Sequence, residues 1–255
     1  MKRLLTAVGG GAAVAIIAAV SAMGAQPGSR AATPAPILSG AGPGWPKRLA
    51  ASDFVRRVDN PWFPLKPGNR YVYRGAEEGK RERDVLVVTY RTRIVDGVVC
   101  RVVFDRVWKN GRLNERTHDF YAQTLSGTVW YFGEHTATLD RHGHVNSREG
   151  SWMSGVHGAQ AGIFMTRHPH PGPSYHQEDF PGHAEDVFTV VRRNARVTVP
   201  MLGTHHALLT RETTVLEPGV RDHKFYVRDI GTVREVTVKG GSESLRLVSL
   251  THRPR

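Results

Sequence analysis

The run DVLVVTYRTRIVDGVVCRVVFDRVW, residues 84–108, decides the fold. Apolar and polar residues alternate on both sides of Asp96-Gly97, and this period of two is typical of half-buried strands. An Asp-Gly pair between two such segments is a strong signal for a two-residue hairpin turn. The run therefore predicts two antiparallel strands, with Cys100 on the buried face and Arg101 on the opposite face.

The same alternation recurs along most of the chain beyond residue 70, between turn sequences such as Asn110-Gly111 and Pro218-Gly219. The predicted strands are residues 71–73, 84–95, 98–108, 116–123, 128–134, 187–199, 205–216, 224–230, 232–238 and 245–251. About ten strands without helical periodicity predict a mainly β fold, namely a single large curved antiparallel sheet. We expect a half-barrel or an open barrel with one long irregular insertion.

The first 50 residues differ in composition from the rest. Met1-Lys2-Arg3 precedes an uncharged run that ends at Ala25, which is typical of an export signal or of an uncleaved anchor. Residues 26–50 are rich in Pro, Gly and Ala, as linkers are. We therefore expect a signal peptide or N-terminal anchor over residues 1–25, a disordered linker over residues 26–50, and one β-rich domain over residues 51–255. The protein is predicted to be secreted or to lie in the extracytoplasmic cell envelope.

The chain is basic, with 35 Lys and Arg against 23 Asp and Glu and a formal net charge of +12. Its arginines are spread along the predicted strands, so its field favours anionic polymers or lipid head groups; the arginine usage of a GC-rich genome would give the same composition. No nucleic-acid recognition module is visible, and we expect no specific nucleic-acid partner. We expect a monomer, with membrane association through the N-terminal segment or the basic surface. A single cysteine excludes an intramolecular disulfide.

Residues 150–186 interrupt the strand pattern. They hold five of the 13 histidines, and two acidic pairs flank Pro181-Gly182. Long connections without secondary structure are usually functional or disordered in compact domains. We expect this segment to be a lid that contributes Trp152, His157 and Glu178 to a site.

The predicted hairpin through Ser126-Gly127 carries the fixed half of that site. A two-residue turn places Asp119 directly opposite Glu134 on the neighbouring strand. Two opposed carboxylates repel unless a cation or a shared proton lies between them. The same face then carries Tyr121, Gln123, Trp130 and Phe132. A three-residue turn, or an ion pair with Arg116, would remove this arrangement.

Two sets of candidate site residues follow from this face and the lid. The predicted ligand-binding residues are Tyr121, Gln123, Trp130, Glu134, Trp152 and His157. The predicted ligands of a divalent metal are Asp119, Glu134 and Glu178. The histidine pairs lie in turn or proline-rich sequence, and no zinc signature is present.

Five motifs together resemble an uncharacterised family of exported actinobacterial proteins, over most of residues 52–251. The motifs are NPWFPLKPG (60–68), DFYAQ (119–123), GTVWYFGE (127–134), GSW (150–152) and GAQ (158–160). FPLKPG near the start, paired with KFYVRDIGTVR (224–234), is similar to exported and lipoprotein-like half-barrels, in which a curved antiparallel sheet wraps an apolar cavity. Neither resemblance implies an activity, and the chain lacks the cysteine of a lipid anchor.

Three functions fit these observations. The first is a non-catalytic exported protein that binds a small apolar or aromatic ligand or a cell-envelope component, and it requires an enclosed pocket of roughly several hundred Å³. The second is a metal-assisted hydrolase that uses the Asp119 and Glu134 carboxyl pair with loop histidines. The third is a structural envelope protein. No strand-to-helix elbow for a nucleophilic serine is visible.

Overall fold

The computed structural model describes residues 50–254. The predicted signal or anchor, and the predicted linker apart from Ala50, lie outside the described residues. Within the described part, no helix is long and apolar enough to cross a membrane. The chain there forms one short 3-10 helix, Ala51–Asp53, followed by strands.

Eighteen strands follow that helix. They are β1 (Phe54–Val55), β2 (Asp59–Asn60), β3 (Phe63–Pro64), β4 (Asn69–Glu77), β5 (Lys80–Val95), β6 (Val98–Lys109), β7 (Arg112–Thr124), β8 (Val129–Leu139), β9 (Val145–Ser147), β10 (Trp152–Met153), β11 (Gln160–Met165), β12 (Ser174–His176), β13 (Glu178–Asp179), β14 (Asp186–Val199), β15 (Gly203–Thr214), β16 (Arg221–Val227), β17 (Gly231–Lys239) and β18 (Ser244–His252). The ten long strands, β4 to β8 and β14 to β18, are those that the alternation predicted. The fold class is confirmed, with more strands than expected.

Sixteen of the strands form one antiparallel sheet. Its order is β12-β14-β15-β16-β17-β18-β4-β5-β6-β7-β8-β11-β13, with β1 added to β7, and β9 and β10 added to β8. Strands β2 and β3 form a separate pair. Most of the long strands are joined by tight turns. In the first predicted hairpin, Asp96 and Gly97 have φ values of 48° and 77°, as a type I′ turn requires.

The two edge strands of this sheet, β12 and β13, are consecutive in the chain. Tyr175 of β12 pairs with Phe188 of β14, and Glu178 of β13 pairs with Ala161 of β11. Between the two strands, the Gln177 N–H donates to the carbonyl of Asp186 at 2.7 Å. We call residues 174–179 the seam, because they join both edges and leave the sheet nearly closed as a barrel. Closure protects edges that would otherwise offer unpaired backbone groups.

The seam corrects the prediction that residues 150–186 form an irregular lid. Four short strands, β10 to β13, lie in this segment and continue the sheet instead of covering it. Each has between two and six residues. Runs of that length are too short for a period of two to be recognised, and their pairing partners are not adjacent in the chain.

Large side chains fill the core on both faces of the sheet. Inside the barrel, Phe63 packs against Tyr121 and Phe164 at ring distances of 5.2 and 4.3 Å. On the other face of β8, Phe54 packs edge-on against Phe132 at 5.3 Å. Cys100 is buried as predicted, and burial raises the pKa of its thiol.

Replacement of Gly162 by Ala tests the seam. A Cβ atom at Gly162 would lie 2.1 Å from the carbonyl oxygen of Gln177, so the seam backbone must move. We expect Gly162→Ala to lower the free energy of unfolding by about 1–3 kcal/mol, as overpacking does. Urea denaturation of both proteins measures this change.

Gly241→Ala is the matched control for this experiment. Its Cβ would meet the Thr237 side chain at 2.9 Å instead of backbone, and neither glycine has a left-handed φ. The control should lose less stability than Gly162→Ala. Equal losses would show that the seam is not held by close backbone contact.

Candidate functional site

Asp119 of β7 lies directly opposite Glu134 of β8, as predicted. The turn, however, has three residues, because the Thr124 N–H donates to the carbonyl of Thr128 at 2.9 Å. Relative to a two-residue turn, this shifts the register by one. A β-bulge at residues 132–133 adds one residue to β8 and restores the carboxyl pairing.

Gly133 allows this bulge. Its φ of 118° lies in the left-handed region, which favours glycine. A Cβ atom there would lie 2.3 Å from the carbonyl oxygen of Trp152, so the bulge also admits β10 beside β8. The motif GTVWYFGE contains this glycine, but the sequence does not reveal a bulge there.

Because of this register shift, the aromatic residues of β8 that face the site differ from those predicted. Tyr131, not Phe132, lies opposite Tyr121, and their rings stack at 4.7 Å. Trp130 points to the other face, where it packs edge-on against Phe54 at 6.5 Å. The prediction that Trp130 and Phe132 face the site is therefore wrong, because a one-residue slip turns a side chain to the opposite face.

Tyr131 connects the two opposed carboxyls. Its hydroxyl lies 2.8 Å from Asp119 Oδ1 and 3.1 Å from Glu134 Oε2. The hydroxyl has one hydrogen, so it can donate to one carboxyl while it accepts from the other only if that carboxyl is protonated. The side chains of Asp119 and Glu134 are only 1% and 3% exposed, and burial and neighbouring carboxyls raise the pKa of both well above the usual range. The geometry therefore fits a shared proton.

The seam brings Glu178 and Trp152 to the same place. Trp152 lies opposite Glu134 in the β8–β10 pair and packs edge-on against Tyr131 at 5.5 Å. Its indole N–H donates to Glu178 Oε1 at 3.4 Å. Burial, and next the charge of Asp186, raise the pKa of Glu178 well above the usual range.

The predicted metal ligands Asp119, Glu134 and Glu178 are thus neighbours. Across residues 50–254, no group of three His, Cys, Asp or Glu side chains is placed to hold a metal ion. The set of Asp119, Glu134 and Glu178 stays a prediction. The histidines of residues 150–186 do not complete it.

Two predicted ligand-binding residues lie away from this cluster. His157 is exposed in a turn with φ 53°. Gln123 lies at the end of the barrel, where its Oε1 accepts from the backbone N–H groups of Asp59 and Asn60 at 2.9 and 2.8 Å. Its Nε2 donates to Asp59 Oδ1 at 2.7 Å. Gln123 therefore holds the segment before β3 in place.

The interior holds many more carboxyls than the hairpin indicated. Ten are buried: Glu77, Glu82, Asp84, Asp105, Glu115, Asp119, Glu134, Glu178, Glu212 and Glu243. The buried cations of the described residues are Lys109, which pairs with Glu77, and Lys224, which lies 2.7 Å from Glu212 and 3.4 Å from Glu235. Two lysines cannot neutralise ten carboxylates, so most of these groups must be neutral to be buried.

Burial accordingly raises the pKa of most of these groups. The pKa values of Glu82 and Glu115 are raised to about 7, chiefly by burial. Burial likewise raises the pKa values of Asp186 and Glu235 to about 7. Glu82, Glu115, Asp186 and Glu235 therefore take up protons near neutral pH.

The cavity inside the barrel is small. Its volume is about 50 Å³, and Asp84, Asp105, Glu235 and Lys224 are among the side chains that line it. Such a volume accommodates water rather than an organic ligand of ordinary size. This cavity does not match the expected enclosed pocket of several hundred Å³, and the rings of Phe63, Tyr73, Tyr121 and Phe164 line it. Neither Asp119 nor Glu134 lines this cavity.

A larger space lies at the end of the barrel beside Gln123. This cleft has a volume of about 680 Å³ and is lined by Val55, Arg56, Arg57, Asp59, Gln123, Leu125, Gly127 and Arg167. The Arg57 Nε lies 2.8 Å from Asp59 Oδ2, whereas Arg56 and Arg167 are exposed and make no ion pair with any other residue between 50 and 254. We call it the end cleft. No sequence motif marks it, since its arginines come from two segments more than 100 residues apart.

Two solved structures are similar to this chain at low sequence identity. No family model matches the chain, and no curated protein matches it. A protein of Bacteroides fragilis NCTC 9343 with a YmcC-like fold, provisionally described as exported, is 12% identical, with 74% of this chain and 98% of that chain covered and a TM-score of 0.42. A provisionally described lipoprotein of Parabacteroides distasonis ATCC 8503 is 10% identical, with 75% and 99% covered and a TM-score of 0.40. The resemblance to an actinobacterial family is not confirmed and stays a prediction.

The interior carboxyls predict that stability falls as the pH rises. Their folded pKa values, about 7 for Glu82 and Glu115, exceed the ordinary values of carboxyls, so the folded state binds more protons than the unfolded state between about pH 4 and 7. We expect a higher melting temperature at pH 5 than at pH 8, measured by calorimetry. His118, His135 and His223 act in the opposite direction, because burial and neighbouring arginines lower their pKa values, but they are fewer and only partly buried. A higher melting temperature at pH 8 would contradict the conclusion that the interior carboxyls bind more protons in the folded state than in the unfolded state.

Asp119→Asn tests the shared proton. An amide is neutral at every pH and can still hydrogen bond to Tyr131, so the variant needs no proton at this position. We expect the free energy of unfolding of Asp119→Asn to decrease less between pH 5 and pH 8 than that of the parent, measured by urea denaturation. Glu78→Gln, at an exposed turn, should retain the parent's pH dependence. If both variants retain it, Asp119 is ionised in the folded protein.

Proposed function

We propose that the protein is an exported, non-catalytic binding protein whose ligand site is the end cleft. Export rests on the positively charged start and the uncharged run of residues 4–25. The observation that carries the binding proposal is the contrast between a cleft of about 680 Å³ and an interior cavity of about 50 Å³. The ligand site thus lies at the end of the barrel and not inside it.

The charge of the end cleft favours an anionic ligand. Three guanidinium groups, those of Arg56, Arg57 and Arg167, line it together with the single carboxylate of Asp59. That carboxylate already pairs with Arg57 at 2.8 Å and accepts from Gln123 at 2.7 Å. Arg56 and Arg167 can therefore bind a carboxylate or phosphate, which guanidinium groups recognise with paired hydrogen bonds.

The rim of the cleft favours an apolar part on the same ligand. Leu125, at the β7–β8 turn, is 74% exposed, and Val55 lines the cleft beside it. The turn is held by hydrogen bonds from the Leu125 N–H to the carbonyl of Asp53 at 2.8 Å and from the Thr124 N–H to Thr128. The exposed Leu125 can contact the apolar part of a small anionic amphiphile while the neighbouring arginines bind its anionic group. This ligand class keeps the apolar part of the sequence-based hypothesis and adds an anionic group.

The two other functions have less support. A metal-assisted hydrolase at Asp119 and Glu134 needs room for a substrate, and these carboxyls line neither the interior cavity nor the end cleft. A structural envelope protein needs no ligand at all. The binding experiment below separates it from the proposal.

Octyl phosphate is a suitable probe for the end cleft, and octyl glucoside is its neutral counterpart. We expect octyl phosphate to bind more tightly, and the double variant Arg56→Gln with Arg167→Gln to weaken it at least about tenfold, since two charge-assisted hydrogen-bonding groups are lost. Isothermal titration calorimetry below the micellar concentrations measures both.

The double variant Arg193→Gln with Arg196→Gln is the matched control. It also removes two exposed positive charges, but from β14, whose residues do not line the cleft. We expect it to bind octyl phosphate as the parent does. Equal weakening in both variants, or no preference for octyl phosphate over octyl glucoside, would rule out the end cleft as an anion site.

A further inference from the structure

Four arginines form a row across four neighbouring strands. Arg234 of β17 lies directly opposite Arg246 of β18, Arg246 lies opposite Arg74 of β4, and Arg74 lies opposite Arg83 of β5. Neighbouring strands are about 4.8 Å apart, so this arginine row spans about 14 Å. None of its members belongs to the end cleft.

The arginine row has no counter-charge in the described part of the chain. The ion pairs within residues 50–254 include none of its four members. Directly opposed like charges destabilise a sheet. The Arg234 Nε is buried without a hydrogen-bond partner, and burial together with the charge of Arg246 lowers the pKa of Arg234. The row therefore lacks an anionic partner.

Aromatic rings hold two of these guanidinium groups in place. Arg83 lies over the Trp108 ring at 4.7 Å, and Arg234 lies over the Phe225 ring at 5.6 Å. Arg106 of β6, which is not part of the row, also lies over the Trp108 ring, at 5.3 Å. A guanidinium group that lies on a ring loses little further freedom when it binds an anion. The row is thus preorganised for anionic groups.

The alternation of the strands separates this row from the carboxyls. Glu82 and Asp84 flank Arg83 in the chain, yet both are buried inside the barrel. Glu235 follows Arg234 and pairs with Lys224 inside. Successive residues of a strand face opposite sides, so the carboxyls next to these arginines in sequence cannot neutralise them from the same face.

We propose that the arginine row binds an extended, flexible polyanion that carries carboxylate or phosphate groups along a single chain. Adjacent strands twist by about 20–25°, so four strands turn the guanidinium groups through about 60–75°. A flat lipid surface meets only part of such a row, and duplex DNA is too stiff to follow it. A flexible chain can follow all four arginines.

Long-chain inorganic polyphosphate is the probe for this site, with the whole protein in solution. Two variants remove the same net charge: Arg74→Gln with Arg246→Gln within the row, and Arg193→Gln with Arg196→Gln on β14. The row variant should weaken binding at least about tenfold at about 0.1 M salt and reduce the salt slope of the affinity by about 2. The β14 variant should weaken it less than about twofold. Arg74→Lys with Arg246→Lys, which keeps the charge, should restore most of the affinity.

Three results would overturn the proposal. The first is equal weakening by the row and β14 variants, which would show an effect of net charge alone. The second is binding of phosphatidylglycerol vesicles as strong as that of polyphosphate at equal charge concentration, with the same loss in the row variant. The third is a lower melting temperature for the row variant alone, with polyphosphate affinity unchanged. The cleft variant Arg56→Gln with Arg167→Gln should weaken polyphosphate binding much less than the row variant does, whereas the row variant should bind octyl phosphate as the parent does, so the two sites are tested separately.

Discussion

The closure of the sheet at residues 174–179 is the constraint on which the rest of the structure depends. This seam pairs with β14 on one side and with β11 on the other, and so turns an open curved sheet into an almost closed one. Glu178 belongs to the seam itself and lies beside Trp152 in the interior. Closure removes water from the carboxyls inside, and burial is the largest cause of their raised pKa values.

The strand period places opposite charges on opposite sides of the same sheet. In Glu82-Arg83-Asp84 the two carboxyls are buried while the arginine lies over Trp108 outside. The same separation occurs at Asp105-Arg106. Neutral carboxyls can be buried at modest cost, whereas guanidinium groups keep their charge and stay at the surface. A basic exterior and a proton-rich interior therefore have one geometrical origin.

The long strands could be predicted from the sequence, because each has enough residues to show alternation and most are joined by recognisable turns. The opposition of Asp119 and Glu134 was predicted from a two-residue turn, and it occurs because the three-residue turn and the bulge at Gly133 shift the register in opposite directions. The identity of the aromatic residue between them could not, because a three-residue turn and a bulge at Gly133 each shift the register by one. The short strands of the seam and the arginines of the end cleft have no local pattern. Only the closed sheet brings their distant segments together.

The buried carboxyls also change the net charge of the folded molecule. The formal net charge of +12 counts every Asp and Glu as ionised. Burial raises the pKa of a carboxyl such as Asp119, which lies beside Tyr131, and whenever such a carboxyl is protonated in the folded interior it contributes no negative charge. The folded molecule is therefore more cationic than its own unfolded chain at the same pH. Folding itself strengthens its attraction to anionic surroundings.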